Sequence, residues 1–346
     1  MDASLYKTAT VSRGFTYHYY YSPAATGKPT ILFIHGFPSS SYDWRRQVEH
    51  FRPQGYGIIV PDVLGVGGTS KPDNADAFRF ALVARDIIDV LDTEGLQTVI
   101  GIGHDWGSVI LSRLANLYSA RFYGFAWLAL SYLPPAWQAA KVGGEWDETG
   151  SEGFGYWQFL TSDDAAGLCE KNLDCFLQMA YPVTPQLVHG WQLPPGKTRE
   201  WIEGNVTHGL PAWLPKEEYD IVKNTWVRGG LKSSMNYCRA VMTGVNEQDD
   251  ESAYQHPNLF EVVLIRLSGW SEVPEEAHNI PKPTLFIATT FDEVCTPALG
   301  KAVMDRFAPQ TQFIELPTGH WPQLEDAARV NQELQKWVKS LNTAKA

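Results

Sequence analysis

A chain of 346 residues with 28 basic and 39 acidic side chains carries a formal charge of −11, which sets nucleic acid aside as a partner because such a surface repels a polyanion. Apolar residues make up 44%, so a packed core is expected, and the length suits one large domain with an insertion, or two domains. The four cysteines (Cys169, Cys175, Cys238 and Cys295) form no C-x-x-C pair and have no histidine at ligand spacing, which disfavours a metal site or a disulfide framework and fits reduced thiols in a cytoplasmic enzyme.

The first twelve residues lack an apolar core of signal-peptide length. Leu5 to Val11 and Phe15 to Tyr21 alternate, carry aromatics and read as an antiparallel edge pair. Short continuous apolar runs follow at Thr30 to Ile34, Gly57 to Val60, Thr98 to Ile102 and Gly124 to Leu130. Such runs suit strands buried on both faces of a parallel sheet. Segments of helical period lie between them, at Ala77 to Leu91 and Ser108 to Leu117, and the alternation predicts a doubly wound α/β sheet. The longest apolar stretch, Phe125 to Leu133, is too short to cross a bilayer.

The alternation stops near Ser131. A stretch rich in Trp, Gly and Pro follows, helical in pieces, with eight of the thirteen tryptophans: Trp137, Trp146, Trp157, Trp191, Trp201, Trp213, Trp226 and Trp270. A sequon at Asn205 carries no weight without a secretion signal. Strand pattern returns at Pro283 to Ala288 and Gln312 to Leu316, and Gln323 to Leu341 is an amphipathic helix. The terminal Ala344-Lys345-Ala346 is not a peroxisomal address. The expected organisation is a core of residues 1–131 and 277–346, interrupted by a helical cap over residues 132–276.

Gly103-His104-Asp105-Trp106-Gly107 follows a predicted strand and opens a predicted helix. Glycines there permit a tight strand-to-helix turn that pushes the middle side chain out at the C-terminal edge of the sheet. Serine is the usual occupant; here it is Asp105, which by itself reads equally well as a helix cap. Three further segments each end a strand: His35-Gly-Phe-Pro38, Phe291-Asp292-Glu293 and Thr318-Gly-His-Trp321. Alone, each is an ordinary turn. Together they give the order nucleophile, acid, histidine, the chain order of a hydrolase triad, at the sheet edge where open α/β sheets bind ligands.

These segments resemble the soluble epoxide hydrolases of the α/β-hydrolase superfamily over nearly the whole chain. The matching stretches are residues 35–45 (HGFPSSSYDWR), residues 61–72 (PDVLGVGGTSKP), Gly103 to Gly107 and Gly319-His320. The resemblance implies an α/β-hydrolase fold: a doubly wound, mostly parallel sheet with an inserted helical cap. It also implies hydrolysis of an epoxide to a vicinal diol, with no cofactor. A carboxylate of ordinary pKa about 3.9 is already charged at neutral pH and attacks a saturated electrophilic carbon without a base. The resulting ester on Asp105 needs water activated by His320, with Asp292 orienting the imidazole. Backbone N–H groups of Phe37 and Trp106 are the expected oxyanion donors. His35, Pro38, His104, Trp157 and Trp321 are expected around the substrate, a small apolar or aromatic epoxide.

The family's first cap tyrosine, which protonates the opening alkoxide, matches Tyr156 in Gly155-Tyr-Trp-Gln-Phe159. The second falls in Asn236-Tyr-Cys-Arg239, where Cys238 occupies the tyrosine slot. Either Tyr237 reaches in through a shifted register or Tyr156 works nearly alone, since a thiol donates weakly. Haloalkane dehalogenases share the Asp-His-acid machinery, and a non-catalytic ligand-binding protein is open to any fold. Oligomeric state is not legible.

Overall fold

The computed structural model describes residues 1–135, 155–246 and 277–341. The anticipated strands are present: β1 (Tyr6–Thr10), β2 (Thr16–Ser22), β3 (Thr30–Ile34), β4 (Gly57–Pro61), β5 (Val99–His104), β6 (Phe122–Leu128), β7 (Thr284–Thr289) and β8 (Gln312–Leu316). They form an eight-stranded sheet in the order β1-β2-β4-β3-β5-β6-β7-β8. β2 pairs antiparallel with β1 and β4; every other pairing is parallel.

The continuous apolar runs serve two cores. Ile31 and Phe33 face one side of the sheet and Leu32 and Ile34 the other, as the two-residue period of a strand requires. On the first side α1 (Arg45–Phe51) packs Val48 and Phe51 into the core. On the second lie α2 (Phe80–Thr93) and α3 (Trp106–Leu117), with Val83, Ile87 and Ile110 fully buried. The helix predicted over Ala77 to Leu91 is two pieces. A 3-10 turn at Ala75–Phe78 is capped by Asn74, and Arg79 (ψ 127°) turns the chain before α2 begins.

The insertion contributes seven described helices: α4 (Gly155–Leu160), α5 (Ala165–Lys171), α6 (Leu173–Ala180), α7 (Pro185–Trp191), α8 (Lys197–Glu203), α9 (Lys216–Gly229) and α10 (Asn236–Met242). Trp137, Trp146 and Trp270 lie outside the described residues. Trp157, Trp201 and Trp226 are buried in the core on the cap side of the sheet, which explains much of the tryptophan density as packing. The cap is bolted to the core by polar contacts. Glu218 of α9 accepts from Arg45 at 2.5 Å and Arg46 at 2.6 Å. Tyr181 donates to the Pro38 carbonyl at 2.7 Å and to Asp43 at 3.0 Å.

After β7 come α11 (Pro297–Phe307), then α12 (Pro322–Glu325) and α13 (Ala327–Ser340). The terminal helix is interrupted at Asp326, whose extended φ (−135°) breaks the ladder while its side chain caps α13 at Arg329. α13 buries Val330, Leu334 and Trp337 on the α1 side. All four cysteines are free and buried. Among the described residues no helix is long and apolar enough to cross a membrane.

The β5–α3 corner depends on two glycines. A Cβ on Gly103 would lie 2.6 Å from the Gly107 carbonyl oxygen, and one on Gly107 would collide with the Ile34 carbonyl. Backbone cannot retreat from such a contact without moving β3 against β5. Gly107→Ala is therefore expected to destabilise the fold by about 1–3 kcal/mol, read as a lower urea midpoint with an unchanged slope.

Candidate active site

Four loops leave the C-terminal ends of β3, β5, β7 and β8, and their side chains converge. Asp105 occupies the corner between β5 and α3 with φ 53° and ψ −126°. That is a conformation an aspartate rarely adopts, and a strained residue in such a place marks a functional one. Asp105 stands at the N-cap position, yet its side chain makes no capping hydrogen bond. It turns outward instead, and the Phe37 N–H donates to Oδ1 at 2.8 Å.

His320 lies between two carboxylates. Its Nδ1 donates to Asp292 Oδ2 at 2.6 Å, and its Nε2 lies 3.4 Å from Asp105 Oδ2. Asp292 is buried, and its Oδ1 accepts from the N–H groups of Val294 (2.9 Å) and Cys295 (3.0 Å). Each lone pair facing the protein is thus engaged, and the imidazole has one orientation.

The charges follow from this geometry. Burial alone would lower the His320 pKa. The Asp292 charge, and hydrogen bonds to Asp105, Asp292 and Cys295, instead hold it well above the ordinary value. Burial would raise Asp292 and Asp105, but the His320 cation and its hydrogen bonds keep both carboxyls below the usual range. The N-terminus of α3 further favours negative charge at Asp105.

A cleft of about 970 Å³, its solvent-open mouth included, lies over these groups. Phe37, Pro38, Asp105, Trp106, Tyr156, His320 and Trp321 line it. Leu160, Phe176, Met179, Val188 and Trp213 supply the apolar wall, and exposed Val183 and Phe291 flank the mouth. All of these wall residues but Trp213, which lies in the turn before α9, sit on short cap helices whose sequence marks an inner face without saying what it faces.

Four expectations need correction. His35 lies below the cleft, not on it: fully buried, it bonds the Gly36 carbonyl through Nδ1 and accepts from Val63 N–H at Nε2, so it shapes the turn. His104 also lies beneath the cleft, because its strand position points it away from the side of Asp105; its Nε2 bonds the His320 carbonyl at 2.7 Å. Burial, then the His320 charge, lower its pKa to about 4, so it donates as a neutral imidazole. Trp157 is buried behind Trp106, stacked at 5.4 Å, and does not line the cleft. Tyr237 is no donor to the cleft either. Its ring packs edge-on to Phe78 at 4.9 Å and stacks on Trp106 at 6.2 Å. There is no register shift: neighbouring helix residues point about 100° apart, and α10 turns Cys238 to the cleft and Tyr237 into the core.

Cys295 was not anticipated beside the triad. Asp292, Cys295 and His320 each place one ligand-type atom within 4.8 Å of the others. The carboxylate and imidazole are already hydrogen-bonded to each other, and burial pushes the thiol up to about 12, so the trio is arranged for proton handling in preference to metal binding.

The protein-family model described as alpha/beta hydrolase fold matches residues 29–327. The chain is 27% identical to epoxide hydrolase A of Mycobacterium tuberculosis over 326 residues, covering 91% of this chain and 92% of that one. It superposes on an epoxide hydrolase from an endophytic Streptomyces with a TM-score of 0.76 at 25% identity, covering 97% and 95% of the two chains. Epoxide hydrolase A of Mycobacterium thermoresistibile gives a TM-score of 0.75 at 23% identity, with 97% and 98% covered.

The triad charges make stability depend on pH. His320, raised in the folded state, stabilises below its unfolded pKa of about 6.5 and loses that contribution as pH climbs through the folded value. Asp292, depressed, stabilises above about 4 and loses its share as pH falls through its folded value. Urea unfolding should therefore show stability falling as pH rises above about 6.5, and His320→Gln should flatten that decline.

Proposed function

The chain belongs to the α/β-hydrolase fold family, and we propose that within it the protein is an epoxide hydrolase that forms vicinal diols through an ester on Asp105. The observation that carries this reading is a carboxylate at the strained β5–α3 corner, where Oδ1 takes the Phe37 N–H and Oδ2 faces His320. The naming of its relatives as epoxide hydrolases supports the substrate class. Residues 132–276 serve as the cap over the core, and the reduced thiols support a cytoplasmic setting.

In the first step Asp105 Oδ2 attacks an epoxide carbon and the C–O bond opens. Tyr156, which lines the cleft, gives its phenolic proton to the alkoxide. Burial holds its pKa well above the usual tyrosine value, so the proton is present at neutral pH and moves only when a stronger base forms. Cys238 also lines the cleft, and its thiol donates weakly, so Tyr156 carries this step.

In the second step esterification has removed the Asp105 charge, one of the influences that hold the proton on His320. Its pKa falls, it releases the Nε2 proton through cleft solvent, which restores the Tyr156 phenol, and the neutral imidazole takes a proton from water that attacks Asp105 Cγ. The developing oxyanion is on Oδ1, already 2.8 Å from the Phe37 N–H. The Trp106 N–H, at the first position of α3, has no carbonyl partner inside its helix and supplies a second donor. Collapse returns Oδ2 to the diol as a hydroxyl, with the proton coming back from His320.

The described lining carries four carboxylates (Asp105, Asp292, Glu293 and Glu325) and no lysine or arginine. Such a field favours neutral epoxides over those bearing a carboxylate. A fatty-acid epoxide and its methyl ester should differ in kcat/KM by at least about tenfold in favour of the ester at low salt; equal values would refute the neutral preference.

Asp105→Asn should lower turnover of a styrene-oxide-type substrate at least about a thousandfold. A single turnover in oxygen-18 water should give unlabelled diol, because the new oxygen comes from Asp105; immediate label would rule out the ester. His320→Gln should accumulate an intact-mass adduct equal to the substrate. Halide release from haloalkanes without epoxide turnover would point to dehalogenation, and binding without turnover to a non-catalytic role.

A further inference from the structure

The segment that carries His320 is a tight loop between β8 and α12, and a loop is a poor mount for a general base unless something holds it. Glu325 does so from within six residues of chain. Its Oε2 accepts from the Gly319 N–H at 2.7 Å, and its Oε1 accepts from the Trp321 N–H at 2.9 Å. The two residues flanking His320 are thus pinned by one carboxylate, with both oxygens engaged. On the opposite side of the same peptide, the His320 carbonyl accepts from His104 Nε2 at 2.7 Å. His104 immediately precedes Asp105, so nucleophile and base are tied through two covalent steps and one hydrogen bond.

Gly319 fits the same arrangement. A Cβ there would lie 3.0 Å from Glu325 Oε1 and 3.3 Å from Oε2, so the glycine admits the carboxylate to the backbone. The Glu325 N–H donates to the Trp321 carbonyl at 2.8 Å, closing a ring that is one turn long. Trp321 in turn donates through its indole to the Ala180 carbonyl at 2.8 Å and stacks on Tyr181 at 4.4 Å.

We infer that Glu325 is a positioning residue for the second half-reaction, a carboxylate clamp that fixes the His320 imidazole relative to the Asp105 ester. The inference rests on the epoxide-hydrolase reading of the site. A simpler role, capping of the one-turn α12, accounts for the Trp321 contact alone. It does not account for the bond to Gly319, which lies outside that helix. Burial, the largest influence, raises the Glu325 pKa above the ordinary carboxylate value, and the two backbone donors only partly offset it. A half-buried charge held against desolvation points to positioning more than to stability. Ester formation needs only Asp105 and the proton donor, whereas ester hydrolysis needs the imidazole in place. The clamp therefore acts on one step and not on the other.

Glu325→Gln is the test, since an amide keeps the shape but offers one acceptor and turns an N–H₂ toward the second backbone donor. Rapid-quench mass spectrometry on an epoxide that the wild type turns over gives the two rates separately. The expected result is ester formation within about threefold of wild type, hydrolysis slowed about thirtyfold or more, and adduct accumulating at steady state with a lower KM. Glu325→Asp, which keeps the charge but reaches one donor at most, should fall between the two. Hydrolysis within about threefold of wild type in Glu325→Gln would overturn the clamp, and so would equal slowing of both steps with a lowered Tm. If the Gln variant does not fold, the same split read in Glu325→Asp decides. Absence of any adduct in wild type and His320→Gln would instead overturn the epoxide-hydrolase reading itself.

Discussion

One imidazole between two carboxylates organises this molecule. His320 holds 2.6 Å to Asp292 and 3.4 Å to Asp105, and each of the three groups is tolerable in a largely buried place only because the other two are there. A lone buried carboxylate would be driven to take up a proton, and a lone buried histidine to lose one. Arranged as they are, Asp105 keeps its charge and His320 keeps its proton. The two are coupled, since a change of charge on one group changes the proton affinity of its neighbour.

The sheet sets where these groups stand and the loops set how they point. β3, β5, β7 and β8 are parallel neighbours or near neighbours, so their C-terminal ends lie along one edge, and each delivers one component. The turn at β5 is sharp because Gly103 and Gly107 let backbone approach backbone. Short-range hydrogen bonds then remove the remaining freedom: Val294 and Cys295 on Asp292, Phe37 on Asp105, and Glu325 and His104 around His320.

The cap is part of this scaffold as well as a cover. Tyr181 reaches from it to the Pro38 carbonyl and to Asp43, and the Ala180 carbonyl takes the Trp321 indole proton. The loops bearing Phe37 and His320 therefore share cap neighbours one residue apart. Tyr156 and Cys238 come to the cleft lining from two further cap helices. Neither cap nor core alone completes the cleft, since Tyr156 and the apolar wall belong to one and Asp105, Asp292 and His320 to the other.

What the sequence by itself determined were features with short-range causes. Apolar runs of strand length marked the central strands, and glycines around Asp105 marked the corner. The order of Asp105, Asp292 and His320 along the chain marked the residues the structure brings together. Helix ends were less legible, as at Arg79 and Asp326, where one residue's backbone conformation outweighs a continuous apolar period. Only the tertiary structure decided the rest. The family resemblance put His35, His104 and Trp157 at the cleft and Tyr237 there as one of two alternatives, yet each turns into packing, because a side chain's direction depends on the rotation of its whole element against the others. The same reason brings Cys238 rather than Tyr237 into the cleft. Cys295 beside His320, and Glu325 gripping the peptides on either side of it, follow from how loops fold back on themselves. No residue type or spacing encodes that closure, because it is the sum of contacts made by the entire sheet.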